Sequence, residues 1–409
     1  MADTGVEVNK QSYAQFEQEL PPILVVETTA HGWRGLTMDG IVFNVESSGG
    51  HVIDIPYGGH VSVTRNGAHV GYRTVPRQAT PGVIDRYLRC VEIAGKAMKA
   101  EHPDNALAMI ETAMSFVPTL ATQYSRGIIL LEMGHWQEGL AEYTQAMEYP
   151  GSSFARPQYR ECVAAGLPRW RGEDIHGKRL LLIHDHGFGD SIMMLRYVPI
   201  LRAMGAEVLL RVPRELERLA SQCAPVVNEL IDVDYFCPLL FLLEVLRQSP
   251  SSMLSMPSYL KVDRSLLSLW KERLHDKGTM VGVAWSPGVV HENDYPRDIP
   301  LAKLVEALSG VALVSLQRQG GVEADQAGVL RSAFEDFADC AALMSCCDEV
   351  VTIDTAAVHL AGAIGHPNVK LLLSHWASWR WLAPLYPSVR ICRQDKPDDW
   401  DSALLKMRN

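Results

Sequence analysis

The stretch 349–367, Glu-Val-Val-Thr-Ile-Asp354-Thr355-Ala356-Ala-Val-His359-Leu-Ala-Gly362-Ala-Ile-Gly365-His-Pro367, leaves the backbone few options. Val350, Val351 and Ile353 read as a short buried parallel strand. Asp354-Thr355 then stands at the strand's carboxyl end, where the pattern changes to small residues at helical spacing. Either residue can cap the helix, so that free backbone N–H groups and the positive end of the helix dipole face the crevice beyond the sheet. Such a corner suits phosphate, and open α/β sheets bind ligands at the carboxyl ends of their strands. His359 lies about one and a half turns beyond Asp354, within reach of the same crevice. The same residues also fit a plain α/β crossover whose Ala and Gly serve only close packing.

The rest of the chain divides by rhythm. Residues 1–85 are β-rich, with Ile23-Leu-Val-Val, Ile41-Val-Phe, His51-Val-Ile-Asp-Ile, Val61-Ser-Val and Ala68-His-Val-Gly-Tyr between glycine-rich breaks. Asn66-Gly67 between two of these runs signals a tight hairpin. Residues 86–170 carry helical periodicity, and two segments align. Ala106 matches Gly139 and Ala113 matches Ala146, each 33 residues apart, close to the tetratricopeptide period of about 34. Gly127, Gly134, Trp136, Tyr143 and Pro150 strengthen the second copy. Two visible copies fall below the roughly three that such repeats need to stand alone, so this unit should lean on a neighbour.

After the connector Pro168-Arg-Trp170-Arg-Gly-Glu-Asp-Ile-His-Gly177-Lys, strands and helices alternate to residue 409. Strands are expected at 179–184 and 207–212, with a helix over 191–204 between them. A second series follows at 280–285, 311–316, 349–353 and 369–373. Alternation of this kind means parallel sheet. The split near 261–277 suggests two facing Rossmann-like halves, 171–265 and 266–409, with a cleft between them.

The bulk numbers exclude several classes. A formal charge of −10 and an acidic pI argue against nucleic acid as partner, because phosphate backbones need a basic face. No run of eighteen apolar residues suggests a transmembrane helix. The acidic start, Met-Ala-Asp-Thr-Gly-Val-Glu, lacks the pattern of a signal peptide, so a cytoplasmic protein is expected. Eight cysteines occur without a C-x-x-C pair, so no metal site is expected, and the cluster Cys340, Cys346 and Cys347 reads as small buried apolar residues on a helix.

A second constellation follows the first strand of the alternating region: His184-Asp-His-Gly187-Phe-Gly189-Asp190-Ser-Ile. Its glycines let a ligand approach the backbone. Asp190 opens the next helix and can be an N-cap or a carboxylate facing the opposite half. A dinucleotide loop fails because Met193 and Met194 follow where a third small residue is wanted. His184 and His186 as a metal pair lack a third spaced ligand.

Gly187-Phe-Gly189-Asp190 followed by Arg196-Tyr-Val-Pro199, together with Asp354-Thr355-x-x-x-His359-Leu-x-Gly362, resembles the heptosyltransferase class of GT-B glycosyltransferases. More closely, the chain resembles bacterial proteins that fuse tetratricopeptide repeats to such a domain. Trp170-x-Gly-Glu, Val281-Gly-Val-Ala-Trp285, Arg297, Ser315-Leu-Gln317, Trp379-Arg380-Trp381, Tyr386-Pro387 and Arg393-Gln394 ahead of Asp399-Trp400 extend the match over roughly 90–405. The resemblance implies a multidomain α/β chain: a small β module, a short tetratricopeptide-like helical unit and a GT-B pair of Rossmann-like domains. The first half is then the acceptor side and the second the nucleotide-sugar side.

By that resemblance Asp190 is the general base that takes the acceptor's hydroxyl proton while the anomeric carbon is attacked with inversion. The donor is a nucleotide diphosphate sugar, ADP-linked by preference and with heptose among the candidate sugars. Gly187, Gly189, Trp285, Arg297, Gln317, Asp354, Thr355, Ala356, His359, Trp379 and Arg380 are its implied contacts. No cofactor and no obligatory metal is implied, since a nucleotide diphosphate leaves readily once donors meet its charge. The acceptor is a protein, peptide or saccharide hydroxyl, and a homo-oligomer stays open. Ala356 stands where many heptosyltransferases carry glycine, and the lysine they place after the second half's first strand is missing from 286–297, where Arg297 offers the charge instead. Trp379 and Trp381 can stack on a base or sugar or close a packed helix end, the latter favoured for Trp381. Arg297 also fits a surface ion pair with Asp294 or Asp298. The alternative function is a non-catalytic binding scaffold for protein partners. A dinucleotide oxidoreductase lacks its glycine fingerprint and ribose-binding acid.

Overall fold

The computed structural model describes residues 23–29, 32–40, 42–46, 51–54, 60–65, 68–74, 77–148, 156–287, 297–318 and 321–408. The chain forms two compact units, Met1–Arg156 and Pro157–Asn409.

In the first unit, β1 (Ile23–Thr29), β2 (Gly32–Thr37) and β3 (Val42–Glu46) run antiparallel. Next come β4 (His51–Asp54), β5 (His60–Arg65) and β6 (Ala68–Thr74), a separate antiparallel sheet. The expected Asn66-Gly67 turn lies outside the described residues, while Arg65 and Ala68 pair across it. The short β7 (Arg77–Gln78) returns beside β1, giving the order β3-β2-β1-β7.

Four helices follow: α1 (Val83–Lys99), α2 (Pro103–Phe116), α3 (Leu120–Glu132) and α4 (Trp136–Glu148). The sheet caps α1 from outside, because the buried Glu27 accepts the Ile84 N–H at 2.7 Å. Thr119 and Thr122 cap α3 reciprocally, at 3.1 and 3.2 Å. Helices α3 and α4 touch backbone to backbone. A Cβ on Gly127 would sit 2.9 Å from both the Gly139 carbonyl oxygen and the Tyr143 nitrogen. All four aligned small positions, Ala106, Ala113, Gly139 and Ala146, are buried.

The second unit opens with α5 (Pro157–Ala164) and β8 (Arg179–Ile183). It continues through α6 (Phe188–Met194), α7 (Val198–Ala203), β9 (Glu207–Arg211), α8 (Arg214–Ala220), β10 (Tyr235–Pro238) and α9 (Leu242–Val245). The single helix expected over 191–204 is broken by a 3₁₀ turn at Leu195–Tyr197. Pro199 has no N–H to continue the ladder and disfavours helical geometry at the residue before it. Strand order is β10-β8-β9, all parallel, with Leu180 to Ile183 wholly buried.

The second half holds α10 (Arg264–Leu274), β11 (Met280–Ala284), α11 (Leu301–Ala307), β12 (Ala312–Ser315), α12 (Gly321–Gln326) and α13 (Phe337–Met344). Then come β13 (Glu349–Ile353), α14 (Ala356–Ala363), β14 (Val369–Leu373), β15 (Val389–Arg393) and α15 (Trp400–Arg408). Its five-stranded sheet is parallel throughout, in the order β12-β11-β13-β14-β15. The mixed α/β architecture with two parallel sheets is therefore the one the alternating rhythm called for. Strand β13 is the central one, and Val350, Val351 and Ile353 are fully buried.

The two halves of this unit meet along α6 and α14. A Cβ on Gly189 would lie 2.8 Å from His359 Cδ2 and 3.4 Å from Ala356 Cα, so glycine sets the approach of the helices. Arg196 is wholly buried and donates from Nη1 to the Leu254 and Leu385 carbonyls at 2.5 and 3.2 Å. Arg218 on α8 makes a paired bond to Asp336, the N-cap of α13, at 2.7 and 2.8 Å.

Candidate functional site

At the carboxyl end of β13 the chain turns sharply at Asp354 and enters α14, with Thr355 as its N-cap. The Thr355 hydroxyl accepts the Ala357 N–H at 3.3 Å. Arg297 reaches this corner from the preceding loop and donates from Nη1 to the Asp354 carbonyl oxygen at 3.1 Å. Asp354 itself is buried. Burial raises its carboxyl pKa, against the charges of Arg297 and Arg380.

Inside the first turns of α14, His359 is 3% exposed. It shares a 2.9 Å hydrogen bond with the Tyr386 hydroxyl through Nδ1, and its ring stacks on Trp381 with centroids 5.5 Å apart. Burial pushes its pKa down to about 3; the Asp190 carboxylate opposes this and Arg380 adds to it. The ring is therefore neutral at ordinary pH. Gly362, one turn on, has no room for a Cβ, which would meet the Tyr386 ring at 2.3 Å. That contact fixes the tyrosine against the helix that carries His359.

On the facing half, β8 ends in the turn that holds the second constellation. Asp190 lies in the first turn of α6, and its Oδ1 accepts from Arg380 Nε at 2.6 Å. Its Oδ2 accepts the Gly187 N–H at 3.4 Å. Both side chains of the ion pair are largely buried, 15% exposed for Asp190 and 19% for Arg380. Burial alone would raise the Asp190 pKa, but the charges of Arg380 and His186 and the Arg380 bond outweigh it and hold it below the usual carboxylate value. Arg380 lies on a 3₁₀ turn, Trp379–Leu382, between β14 and β15. Its guanidinium also packs over the Trp379 ring at 4.6 Å and donates to Ser378 Oγ at 3.0 Å.

Gly187, Gly189, Asp190, Arg297, Asp354, Thr355, Ala356, His359 and Arg380 are thus gathered around the contact between α6 and α14. Trp285 and Trp379, also among the implied contacts, present no exposed ring there. Trp285 is 2% exposed within the second half's core, its indole donating to Glu323 at 3.0 Å. The fully buried β11 carries straight into that core, so the ring cannot stack on a ligand. Trp379 is likewise 2% exposed, and Trp381, expected to be the packed one, is the less buried of the two and stacks on His359. The reversal follows from the 3₁₀ turn, which puts residues two apart on different faces.

Gln317 acts on the loop rather than from it. Its Oε1 accepts the N–H groups of Trp285 and Ser286 at 2.5 and 2.9 Å, fixing the chain as it leaves β11. Arg297 bonds a backbone carbonyl at the carboxyl end of β13; Asp294 lies outside the described residues. Sequence reasoning missed Tyr386 and Tyr259 as a pair. Their hydroxyls stand 3.5 Å apart, and Arg196 lies over both rings at 4.8 and 5.2 Å. An arginine without a carboxylate partner in a run of apolar residues was the available signal.

Among the described residues no cluster of three His, Cys, Asp or Glu side chains could hold a metal. No described helix is long and apolar enough to cross a membrane. A cavity of about 370 Å³ lies elsewhere, at the amino ends of the second half's strands, lined by Thr279, Val281, Asp348 and Asn368 among others.

No family model matches the chain. It is 28% identical over 327 residues to Protein FlbA of Caulobacter vibrioides, a match covering 69% of this chain and 53% of FlbA. The chain thus spans about half the length of that curated relative. Among solved structures it is similar to the glycosyl transferase family 9 protein of Veillonella parvula, with a TM-score of 0.43 and 11% identity over 58% of this chain and 93% of that one. It is also similar to the E. coli ADP-heptose lps heptosyltransferase II, with a TM-score of 0.41 and 16% identity over 56% of this chain and 97% of that one.

Proposed function

We propose that the site built where α6 meets the head of α14 binds a nucleotide diphosphate sugar and transfers its sugar to a hydroxyl, with inversion and without an obligatory metal. The observation that carries this reading is the convergence of a donor-lined corner with a buried carboxylate. Thr355, the first amides of α14, Arg297 and Arg380 gather donors on the second half. Asp190 brings negative charge to the facing wall.

The chemistry needs this combination. Attack at the anomeric carbon develops positive charge on the sugar, which a fixed carboxylate stabilises, and the departing diphosphate develops negative charge, which fixed donors stabilise. Helix N-terminal amides are suited to the second task. His359, neutral because it is buried, adds a polar edge without adding charge that would compete with the arginines. An ADP-linked donor is preferred by the motif resemblance, with heptose among the candidate sugars. The acceptor is a hydroxyl of a protein, peptide or saccharide.

Calorimetric titration of the intact chain with ADP, UDP and GDP tests the reading, repeated with Asp354→Ala and His359→Ala. Binding of one nucleotide, weakened in both variants, supports it and names the base. Absence of binding by all three removes the donor site and leaves a non-catalytic scaffold.

A further inference from the structure

His359 owes the setting of its ring to Tyr386, which the transfer scheme leaves without a part. The Tyr386 hydroxyl lies 2.9 Å from His359 Nδ1, and the phenol meets the imidazole edge-on with centroids 5.8 Å apart. One imidazole face stacks on Trp381. The edge opposite Nδ1 faces α6, since a Cβ on Gly189 would stand 2.8 Å from His359 Cδ2 and 3.5 Å from Nε2. The same point is 3.4 Å from Ala356 Cα, so this edge borders the first residue of α14 as well.

Which ring nitrogen carries the hydrogen follows from the donors around Tyr386. The Tyr259 hydroxyl donates to the Ile192 carbonyl of α6 at 3.0 Å, so toward Tyr386, 3.5 Å away, it can only accept. Arg196, over both rings, carries donors alone and offers Tyr386 no acceptor. Were His359 Nδ1 to donate, the Tyr386 proton would have only an oxygen 3.5 Å off, beyond a good O–H···O length, inside a residue 5% exposed. A buried donor left unmet is the costlier arrangement. The Tyr386 hydroxyl therefore donates to Nδ1, and burial, which raises the phenol's pKa, keeps the proton there to be donated. A neutral imidazole that accepts at Nδ1 holds its hydrogen on Nε2.

We propose that Tyr386 is a positioning residue of the donor site, holding His359 as the Nε2–H tautomer with that N–H turned toward Gly189 and Ala356, where it meets the departing phosphate. The proposal rests on the glycosyl-transfer reading above and deepens it. The imidazole supplies a hydrogen bond without a charge and takes no part in proton transfer. Tyr259 secures the same junction, its N–H and that of Leu260 both donating to the Ala363 carbonyl of α14 at 2.9 and 3.0 Å.

Ring-nitrogen NMR of the intact chain, with its histidines labelled by nitrogen-15, reads the tautomer directly, and the His359 signals are those lost in His359→Gln. In wild type at neutral pH, Nε2 should appear as the protonated nitrogen and Nδ1 as the unprotonated one, shifted by the bond it accepts. Tyr386→Phe keeps the ring and removes the hydroxyl, so the Nδ1 signal should move further from the protonated range. The same variant should weaken whichever of ADP, UDP and GDP binds by about 3- to 10-fold, the worth of one neutral hydrogen bond, while the matching monophosphate changes less than about twofold. A proton on Nδ1 in wild type overturns the assignment. So does a Tyr386→Phe chain whose Nδ1 signal or diphosphate affinity stays put, or one that loses diphosphate and monophosphate equally, which is loosening of the fold. No binding by any nucleotide removes the transfer reading and the diphosphate contact together, whatever the tautomer.

Discussion

Replacing His359 by Gln should flatten the acid side of the protein's stability curve. In the fold the imidazole is 3% exposed, and burial holds its pKa at about 3, down from 6.5. The unfolded chain therefore binds a proton at this residue at pH values where the folded chain does not. Stability from this residue is fully present above pH 6.5 and is lost progressively as the pH falls toward about 3. At pH 5.0, the unfolded state gains about 2 kcal/mol by protonating the free histidine. For a unit of this size that corresponds to a loss of roughly 4–8 °C in Tm. Glutamine does not titrate and can still bond the Tyr386 hydroxyl. Urea denaturation of both proteins at pH 7.5, 6.5, 5.5 and 5.0, followed by tryptophan fluorescence, measures the difference. Seven of the nine tryptophans lie in the second unit, so the signal reports the right part of the chain. The variant should gain on wild type as the pH falls, by about 2 kcal/mol between 7.5 and 5.0. Parallel curves over that window would refute a neutral His359 at the head of α14.

Other substitutions probe the packing that builds the site. Gly189→Ala gains helix propensity but forces a Cβ to 2.8 Å from the His359 ring, so overpacking of ~1–3 kcal/mol should win and weaken nucleotide binding, as thermal melts and calorimetry would show. In the first unit, Gly127→Ala meets rigid backbone at 2.9 Å and should lower Tm, whereas Gly95→Ala, in α1 with nothing within 4 Å, should stabilise by about 0.5–1 kcal/mol; equal melts for the pair would contradict the α3–α4 contact. Asp354→Asn removes a carboxylate whose pKa burial raises above 3.8, so it should stabilise the fold at pH 7 and lose that advantage below pH 3.8, while weakening the nucleotide site.

The sequence exposes the parallel sheets and the corner because both are local patterns. Val350, Val351 and Ile353 announce a buried strand, and Thr355 before a run of small residues announces a cap. The glycines at 187 and 189 mark a place where something must come close, although not that the close neighbour of Gly189 is His359 itself. What was illegible depended on tertiary direction. Trp285 and Trp379 are among the contacts the resemblance implies, yet the strand and the 3₁₀ turn that carry them bury both rings. The Asp190–Arg380 bond joins residues 190 apart, and no periodicity reports such a pair. Gln317 carries a polar side chain that suits a ligand, but the loop amides after β11 reach it first.

The most direct test is a crystal structure of the intact chain with the nucleoside diphosphate that binds tightest in titration. The β-phosphate should lie at the N-terminus of α14, within hydrogen-bond distance of the 356–357 amides and a guanidinium of Arg297 or Arg380, with Asp190 facing the sugar side. A nucleotide seated elsewhere, or a corner that stays closed by Arg297 at saturating nucleotide, would contradict the donor site.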